Sequence, residues 1–166
     1  ELATEVGEVV RQLAQALAAR LTVVVAAGGV SINPQMMALR GGADVLAATP
    51  GRLLDLVDHN AVALSAVRLL VLDEADRLLD LGFSQELSQV LSLLPSGRQS
   101  LFFSATFPPE VSALASQMLR EPVQVSVAPT APQDEAIAQQ AIAVDASRRT
   151  PLLRHLITDL GWQRVL

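Results

Sequence analysis

The sequence contains no cysteine, no tyrosine and no lysine, and all twelve of its basic residues are arginine. The absence of cysteine excludes disulfides, cysteine-ligated zinc and thiol catalysis. Because His59 and His155 are the only histidines, we do not expect a histidine-rich metal site. The absence of lysine excludes a phosphate-binding loop of the G-x-x-x-x-G-K-[ST] type, since that loop places its lysine on the β- and γ-phosphates of a nucleotide.

Charged residues are also scarce. They make up 17% of the 166 residues, whereas hydrophobic residues make up 51%, which favours strands that are buried on both faces. No apolar run approaches the ~18 residues of a membrane span, and no signal segment opens the chain. The net charge of −5 argues against nucleic-acid binding by bulk electrostatics, so any such contact has to be local. We expect a soluble protein without membrane contact, located by default in the cytoplasm.

Apolar periodicity alternates between helical and strand patterns. An amphipathic helix is predicted over residues 1–20, and later helices are predicted at 33–40, 50–58, 83–94 and 108–119. Asn33 and Thr49 are the expected N-caps, each followed by a proline. Strands are predicted at 21–27, 44–48, 67–72, 99–104 and 123–127. This alternation predicts an α/β fold with parallel strands, right-handed crossovers and helices on both faces of the sheet.

A change in composition follows residue 127. Pro129 and Pro132 lie among small and polar residues, and we interpret residues 128–135 as an interdomain linker. A strand is predicted at 137–144, a helix at 147–160 with Gly161 as its stop, and a strand cut short at 164–166. The predicted division is therefore a first domain over 1–127, the linker, and the start of a second domain over 136–166.

Three carboxylates within four positions follow the apolar strand that ends at Leu72: Asp73, Glu74 and Asp76. Open α/β sheets bind ligands at the carboxyl ends of their strands. In a Walker B element, the first carboxylate holds the magnesium ion of a nucleotide and the second orients or deprotonates the attacking water. The alternative is an acidic helix N-terminus, because Asp and Glu favour the first turn through the helix dipole.

Four motifs in this order resemble the DEAD-box family of ATP-dependent RNA helicases: Gly28-Gly29, Thr49-Pro50-Gly51-Arg52, Asp73-Glu74-Ala75-Asp76 and Ser104-Ala105-Thr106. Residues 31–35 and 79–83 resemble the bacterial RhlE-like branch. The resemblance covers nearly the whole chain. It implies a RecA-like parallel sheet with helices on both faces, truncated at both ends and without the Walker A strand, followed by the start of a second RecA-like lobe.

The resemblance also implies roles for the residues that match. Asp73 would bind the Mg²⁺ of ATP through water, and Glu74 would position and activate the hydrolytic water. Asp76 would form hydrogen bonds toward Ser104 and Thr106 and so link the nucleotide side of the lobe to its RNA side. The alternative for the two hydroxyl residues is capping of the next helix.

RNA is the partner that the resemblance implies, bound through its backbone and therefore without sequence specificity. The implied contacts are Gly28, Gly29, Thr49, Pro50, Gly51 and Arg52. The glycines allow the main chain to approach a phosphate closely, and the helix N-terminus after Thr49 favours an anion. The alternative is that both segments are ordinary turns.

Several family motifs are missing, among them the adenine-recognising Gln motif, the Walker A loop and the arginine finger of the second lobe. We therefore expect the chain alone to retain neither ATP nor Mg²⁺ and to have no ATPase activity. A non-catalytic RNA-binding or protein-interaction module is the alternative function, and a DNA-directed relative is a third.

The missing Walker A strand would leave two unpaired edges in the sheet. This predicts a swapped or edge-paired homo-oligomer, or a rearranged sheet.

Overall fold

The computed structural model describes residues 2–16, 20–127 and 140–162. In chain order the described elements are α1 (Leu2–Ala16), β1 (Val23–Ala26), α2 (Asn33–Leu39), β2 (Val45–Ala48), α3 (Pro50–Asp58), β3 (Leu69–Leu72), α4 (Ala75–Asp80), α5 (Ser84–Leu93), β4 (Gln99–Phe102), α6 (Pro109–Met118) and α7 (Arg149–Asp159), with a 3-10 turn, Ala146–Arg148, directly before α7. The chain divides into two units, residues 1–123 and 124–166.

The strands of the first unit pair in parallel, as the alternation of elements predicts. Val23 lies opposite Val45 in the β1–β2 pair, and Leu69 lies opposite Gln99 in the β3–β4 pair. Each pair is connected through helical segments, which is the connection that parallel neighbours require. The described strands form two two-stranded sheets. In each sheet the carboxyl ends of both strands lie at the same edge.

The β1–β2 sheet is packed on both faces. Val24 and Ala26 form a buried cluster with Leu39 of α2 and Leu56 of α3. Helix α1 covers the other face and approaches it so closely that a Cβ at Gly7 would collide with Val25. A glycine in the middle of a helix costs helix propensity, so its presence in α1 is explained by this close approach to the sheet.

The β3–β4 sheet is packed on one face only. Leu72 clusters with Ala75 of α4, Leu87 of α5 and Met118 of α6. On the opposite face Leu69 and Val71 remain 51% and 49% exposed. The prediction that this strand is buried on both faces is therefore wrong for the described part of the chain. The reason is that α4, α5 and α6 all contribute to the same cluster and none covers the second face.

Helices α3 and α5 connect the two sheets within the first unit. Leu64, Val90 and Leu94 form a buried cluster. Leu53, Leu54 and Val57 of α3 pack against that cluster, together with Leu70 of β3. The hydrophobic core thus extends from one sheet to the other through the contact of these two helices.

Two predictions about strands are corrected by the structure. Residues 123–127 form no regular secondary structure, and the side chains of Val123, Val125 and Val127 are 90%, 80% and 84% exposed. A strand needs a hydrogen-bonded neighbour, and no described strand pairs with this segment. Residues 140–144 are not a strand either, and the rest of that predicted strand lies outside the described residues.

Of the two predicted N-cap residues, Thr49 is confirmed and Asn33 is wrong. Thr49 occupies the N-cap of α3 with an extended backbone, and Pro50 is the first helical residue, although the Thr49 side chain makes no capping hydrogen bond. Asn33 is not a cap. It is the first residue of α2, because Ile32 before it already has helical φ and ψ angles of −74° and −29°.

The second unit contains the predicted helix, formed by the 3-10 turn and α7, and Gly161 follows it with a positive φ of 60°. The predicted linker at 128–135 and the predicted strand at 164–166 lie outside the described residues, so the assignment of residues 136–166 to a second lobe stays a prediction. Within the described ranges, no helix has both the length and the apolar character to cross a membrane.

Candidate functional site

The three carboxylates lie in the turn between β3 and α4. Asp73 is exposed, and its Oδ1 accepts a hydrogen bond of 2.9 Å from the amide of Glu74. Glu74 occupies the N-cap of α4 in the left-handed region, with φ 47° and ψ 49°. This conformation costs an L-residue roughly 1–2 kcal/mol. Such strain is retained where the surrounding structure requires it, and functional turns are a common place.

The carboxylate of Glu74 is oriented by an arginine one helical turn later. Arg77 Nη1 donates to Glu74 Oε2 over 2.7 Å. The hydrogen bond to Glu74 raises the pKa of Arg77, and the negative charge of the carboxylate adds to this effect. Both side chains are substantially exposed, so the pair contributes little to stability. Arg77 is not among the residues predicted from the sequence, although its i, i+3 spacing from Glu74 is a recognisable pattern for such a pair.

Asp76 connects the ends of the two neighbouring strands. Its Oδ2 accepts hydrogen bonds from the Thr106 amide at 3.0 Å and the Thr106 hydroxyl at 2.8 Å. Its own amide donates to Ser104 Oγ at 3.2 Å, and Ser104 Oγ donates to the Thr106 carbonyl at 2.8 Å. The structure therefore brings Asp76, Ser104 and Thr106 together in one hydrogen-bonded group.

These contacts favour the ionised form of Asp76. The hydrogen bond from the Thr106 side chain is the largest cause of a pKa below the ordinary value. Desolvation is the second-largest cause and raises the pKa, whereas Ser104 and the amides of Thr106 and Arg77 lower it further. Neither hydroxyl caps α6, because Pro108 occupies its N-cap and no side-chain hydrogen bond is made there. The hydroxyls instead serve the contact with Asp76.

Main-chain hydrogen bonds fix this arrangement. Phe103 donates to the Leu72 carbonyl at 2.8 Å, and Ala75 donates to the Phe103 carbonyl at 3.1 Å. These bonds continue the pairing of β3 and β4 beyond the ends of both strands. The segment with Asp73 and Glu74 is consequently held against the segment with Ser104 and Thr106.

A second group of predicted residues lies after β1 and β2. Gly28 and Gly29 form an exposed turn, and Gly29 has a φ of 81°, where glycine is favoured. A Cβ added to either glycine would meet no atom within 4 Å. The surface above this turn is therefore open to a ligand. We call residues 27–31 the glycine loop.

The segment after β2 contacts the glycine loop. The Thr49 amide donates to the Ala26 carbonyl at 3.0 Å. Pro50 and Gly51 begin α3, and Arg52 Nη2 donates to the Val30 carbonyl at 2.7 Å. The Arg52 side chain is only 9% exposed. The structure thus joins two segments that the sequence analysis predicts separately, and the RNA contacts assigned to them stay predictions.

Gln35 also contacts the glycine loop, a role that is not predicted from the sequence. Its Nε2 donates to the Ala27 carbonyl at 3.0 Å from the first turn of α2. No sequence rule predicts the bond from Gln35 to the Ala27 carbonyl, because it depends on how α2 is oriented over the loop that precedes it.

The carboxylate of Asp73 fits the magnesium ion that the family resemblance implies for the whole helicase. Mg²⁺ prefers oxygen ligands and is commonly held by one or two carboxylates together with substrate phosphates and water. Asp73 is exposed at the strand end and offers such oxygens. Among the described residues there is no cluster of three or more His, Cys, Asp or Glu side chains that would hold a metal without a substrate.

The sequence matches known helicases over most of its length. The profile of the DEAD/DEAH box helicase family matches residues 1–114. The ATP-dependent RNA helicase RhlB of Pseudomonas putida is 41% identical over 149 residues, which cover 88% of this chain and 37% of that protein. The DEAD-box ATP-dependent RNA helicase 52A of Oryza sativa is 39% identical over 158 residues, which cover 92% of this chain and 26% of that protein. The chain therefore spans only part of the length of these relatives, and the RhlE-like branch stays a prediction.

Two solved structures have the same fold. The yeast DEAD-box splicing factor Prp28 aligns with a TM-score of 0.68 and 30% identity, over 72% of this chain and 29% of that chain. A hypothetical ATP-dependent RNA helicase from Sulfolobus tokodaii aligns with a TM-score of 0.66 and 30% identity, over 73% of this chain and 36% of that chain. The α/β fold is therefore RecA-like. Since the family profile covers the segments that contain the glycine loop, the α3 N-terminus and the Asp76 group, this chain belongs to the DEAD/DEAH box helicase family.

Proposed function

We propose that this chain is part of an ATP-dependent RNA helicase that couples ATP binding and hydrolysis to local unwinding of RNA duplexes. The observation that carries the proposal is the hydrogen-bonded group of Asp76, Ser104 and Thr106, which links the carboxylate turn to the end of the neighbouring strand. The names of the related proteins from Pseudomonas putida and Oryza sativa, both ATP-dependent RNA helicases, support it.

In this proposal Asp73 and Glu74 serve the hydrolysis of ATP. Phosphoryl transfer depends mainly on positioning and on stabilisation of charge. Asp73 would hold Mg²⁺, which supplies positive charge beside the phosphates. Glu74 would orient the attacking water and accept its proton. Arg77 contacts Oε2 of Glu74, and in the described part of the chain Oε1 has no hydrogen-bond donor, so Oε1 is the oxygen we assign to the water.

RNA would contact the edge formed by the glycine loop and the α3 N-terminus, the two segments that contain the six residues predicted from the sequence, Gly28, Gly29, Thr49, Pro50, Gly51 and Arg52. The exposed turn with open space above both glycines supports this assignment. The N-terminus of α3 adds amides and a dipole that favour a phosphate. Contacts of this kind are made to the RNA backbone and give no sequence specificity.

For the chain alone we propose the absence of ATP turnover, because a nucleotide-binding lysine is lacking. A non-catalytic RNA-binding or protein-interaction module is the second candidate for these residues, and the same absence of lysine favours it.

We also propose self-association, supported by the exposed apolar face of β3–β4 and by the exposed Val123, Val125 and Val127.

Glu74→Gln in a full-length helicase that contains this chain together with the Gln motif, the Walker A loop and the second lobe with its arginine finger tests the catalytic proposal. We expect RNA-stimulated phosphate release to fall at least ~100-fold in kcat, the usual size of a lost general base, with KM for ATP nearly unchanged. Glu110→Gln, an exposed residue in the first turn of α6, is the matched control and should keep full activity. Undiminished RNA-stimulated hydrolysis in the Glu74→Gln variant would contradict the role of Glu74.

A further inference from the structure

We propose that Gln35 is a positioning residue that, together with Arg52, holds the glycine loop in the shape that contacts RNA. The proposal rests on the RNA-binding function proposed for this loop. It adds Gln35, which is not among the RNA-contact residues predicted from the sequence, and it gives Arg52 a role that is exerted through the loop.

The two side chains hold the loop at two carbonyls on either side of the glycine pair. Gln35 Nε2 donates to the Ala27 carbonyl before Gly28 at 3.0 Å, and Arg52 Nη2 donates to the Val30 carbonyl after Gly29 at 2.7 Å. The donors come from different helices, α2 and α3. The loop is therefore fixed at both of its ends to elements that themselves pack on the β1–β2 core.

The glycine pair cannot hold itself in place. Neither glycine has a side chain to pack, and the space around both is open. Glycine also loses more backbone freedom on ordering than any other residue. A loop of this kind binds a phosphate tightly only if other groups order it before the ligand arrives, because the ordering cost is otherwise subtracted from the affinity.

The burial of these side chains supports a role other than stability. Within the described residues, Gln35 Oε1 and Arg52 Nε and Nη1 are buried without a hydrogen-bond partner. The Arg52 Nε lies 3.5 Å from Asp55 Oδ2, which is close enough for charge attraction and too long for a good hydrogen bond. Unpaired buried polar atoms are unfavourable, so the two bonds to the loop are the contacts that these side chains make well.

The low exposure of Arg52 shows whether it contacts RNA directly or acts on RNA binding through the glycine loop. With 9% of its side chain exposed, the guanidinium presents little surface to a phosphate. Its bond to the Val30 carbonyl instead fixes the backbone that precedes α2. We therefore assign its effect on RNA binding to the order of the glycine loop.

The first test measures affinity of the full chain for a fluorescein-labelled single-stranded oligouridylate by fluorescence anisotropy. Gln35→Met removes the donor without adding charge, and Gln35→Glu removes the donor with nearly the same shape. Both should weaken binding about fivefold, the effect of one lost hydrogen bond. Gln89→Glu, at an exposed position of α5, introduces the same charge as Gln35→Glu and should leave the affinity within experimental error.

The second test separates positioning from direct contact. Arg52→Met should lower the affinity and leave the salt dependence of binding unchanged. Loss of a direct phosphate contact would instead reduce the slope of log K against log salt by about 0.7 for a single strand. A reduced slope in Arg52→Met would overturn the positioning role of Arg52.

The third test does not need RNA. Backbone order parameters measured by NMR relaxation should fall at Gly28 and Gly29 in Gln35→Met, while those of Val24 and Leu56 in the adjoining core keep their wild-type values. Unchanged order parameters in the loop would overturn the inference even if wild-type RNA binding is strong. Lower loop order parameters in a protein whose wild type does not bind the oligouridylate would support the inference and contradict the proposed function.

Discussion

At the scale of single residues, Asp76 shows how a charge is stabilised by neighbours that are distant in sequence. Thr106 supplies both a hydroxyl and an amide to one carboxylate oxygen. Because these bonds lower the pKa of Asp76 below 3.8 in the folded protein, they stabilise the fold fully above pH 3.8. The stabilisation is lost as the pH falls through the lower folded-state pKa, where Asp76 takes up a proton.

Thr106→Val should raise the pKa of Asp76 toward 3.8, because it removes the largest cause of the shift and keeps the β-branched shape. The titration of the Asp76 carboxyl carbon, followed by NMR, measures this change. Ser104→Ala should raise the pKa by less, since Ser104 is a smaller cause. Thr158→Val, whose hydroxyl bonds within α7, is the control, and an unchanged Asp76 titration in Thr106→Val would show that its hydroxyl is not the main donor.

The sequence predicted which residues form the candidate site better than it predicted the contacts that they make. The family resemblance implied that Asp76 meets Ser104 and Thr106, and the structure explains the contact, because parallel pairing of β3 with β4 brings the ends of both strands to one edge. The bonds from Gln35 and Arg52 to the glycine loop were not predicted. They depend on how α2 and α3 are oriented on the sheet, and no local pattern encodes that orientation.

At the scale of elements, the packing of α1 on the β1–β2 sheet explains why position 7 is a glycine. Gly7 is a poor helix former in the middle of α1, and the close approach of Val25 leaves no room for a Cβ. The stiffness of the β-branched valine prevents it from moving aside easily. The packing of helix on sheet therefore outweighs helix propensity at this position.

Gly7→Ala should lower the free energy of unfolding. Overpacking costs about 1–3 kcal/mol, and the gain in helix propensity offsets only about 1 kcal/mol of it. Urea denaturation followed by circular dichroism measures the difference. Gly41→Ala is the matched control, because a Cβ there meets no atom within 4 Å. A Gly7→Ala variant as stable as the wild type would mean that α1 does not pack so closely on β1.

Strand predictions succeeded where a neighbour exists and failed where none is described. The apolar patterns at β1, β2, β3 and β4 were identified within a few residues. The pattern at 123–127 is similarly β-branched, yet it forms no strand. Apolar alternation expresses a preference for a pleated surface, whereas backbone pairing depends on a partner strand elsewhere in the chain.

At the scale of the whole molecule, the exposed face of β3–β4 is the feature that bears on assembly. Leu69 and Val71 of β3 and Leu101 of β4 are all at least 36% exposed. Leu69 and Val71 alternate with the buried side of the strand, and Val71 lies opposite Leu101 in the register. The face is thus a continuous apolar surface of the kind that mediates association.

The 166-residue chain should have a molar mass above that of one chain in light scattering after size exclusion. The double variant Val71→Thr, Leu101→Thr should shift the mass toward one chain, because it makes the exposed face more polar. Val30→Thr changes an exposed valine elsewhere, 63% exposed in the glycine loop, and should leave the mass unchanged. A wild-type chain with the mass of a monomer would remove the self-association proposal.

The sequence by itself determined the family, the parallel α/β fold and the residues that end each strand, because strand and helix periods and the short motifs are local properties of the chain. Only the tertiary structure decided which faces are covered, that 123–127 does not pair, and that Gln35 and Arg52 hold the glycine loop. Those features depend on how separate elements pack against one another, and the energy of that packing depends on residues far apart in the sequence.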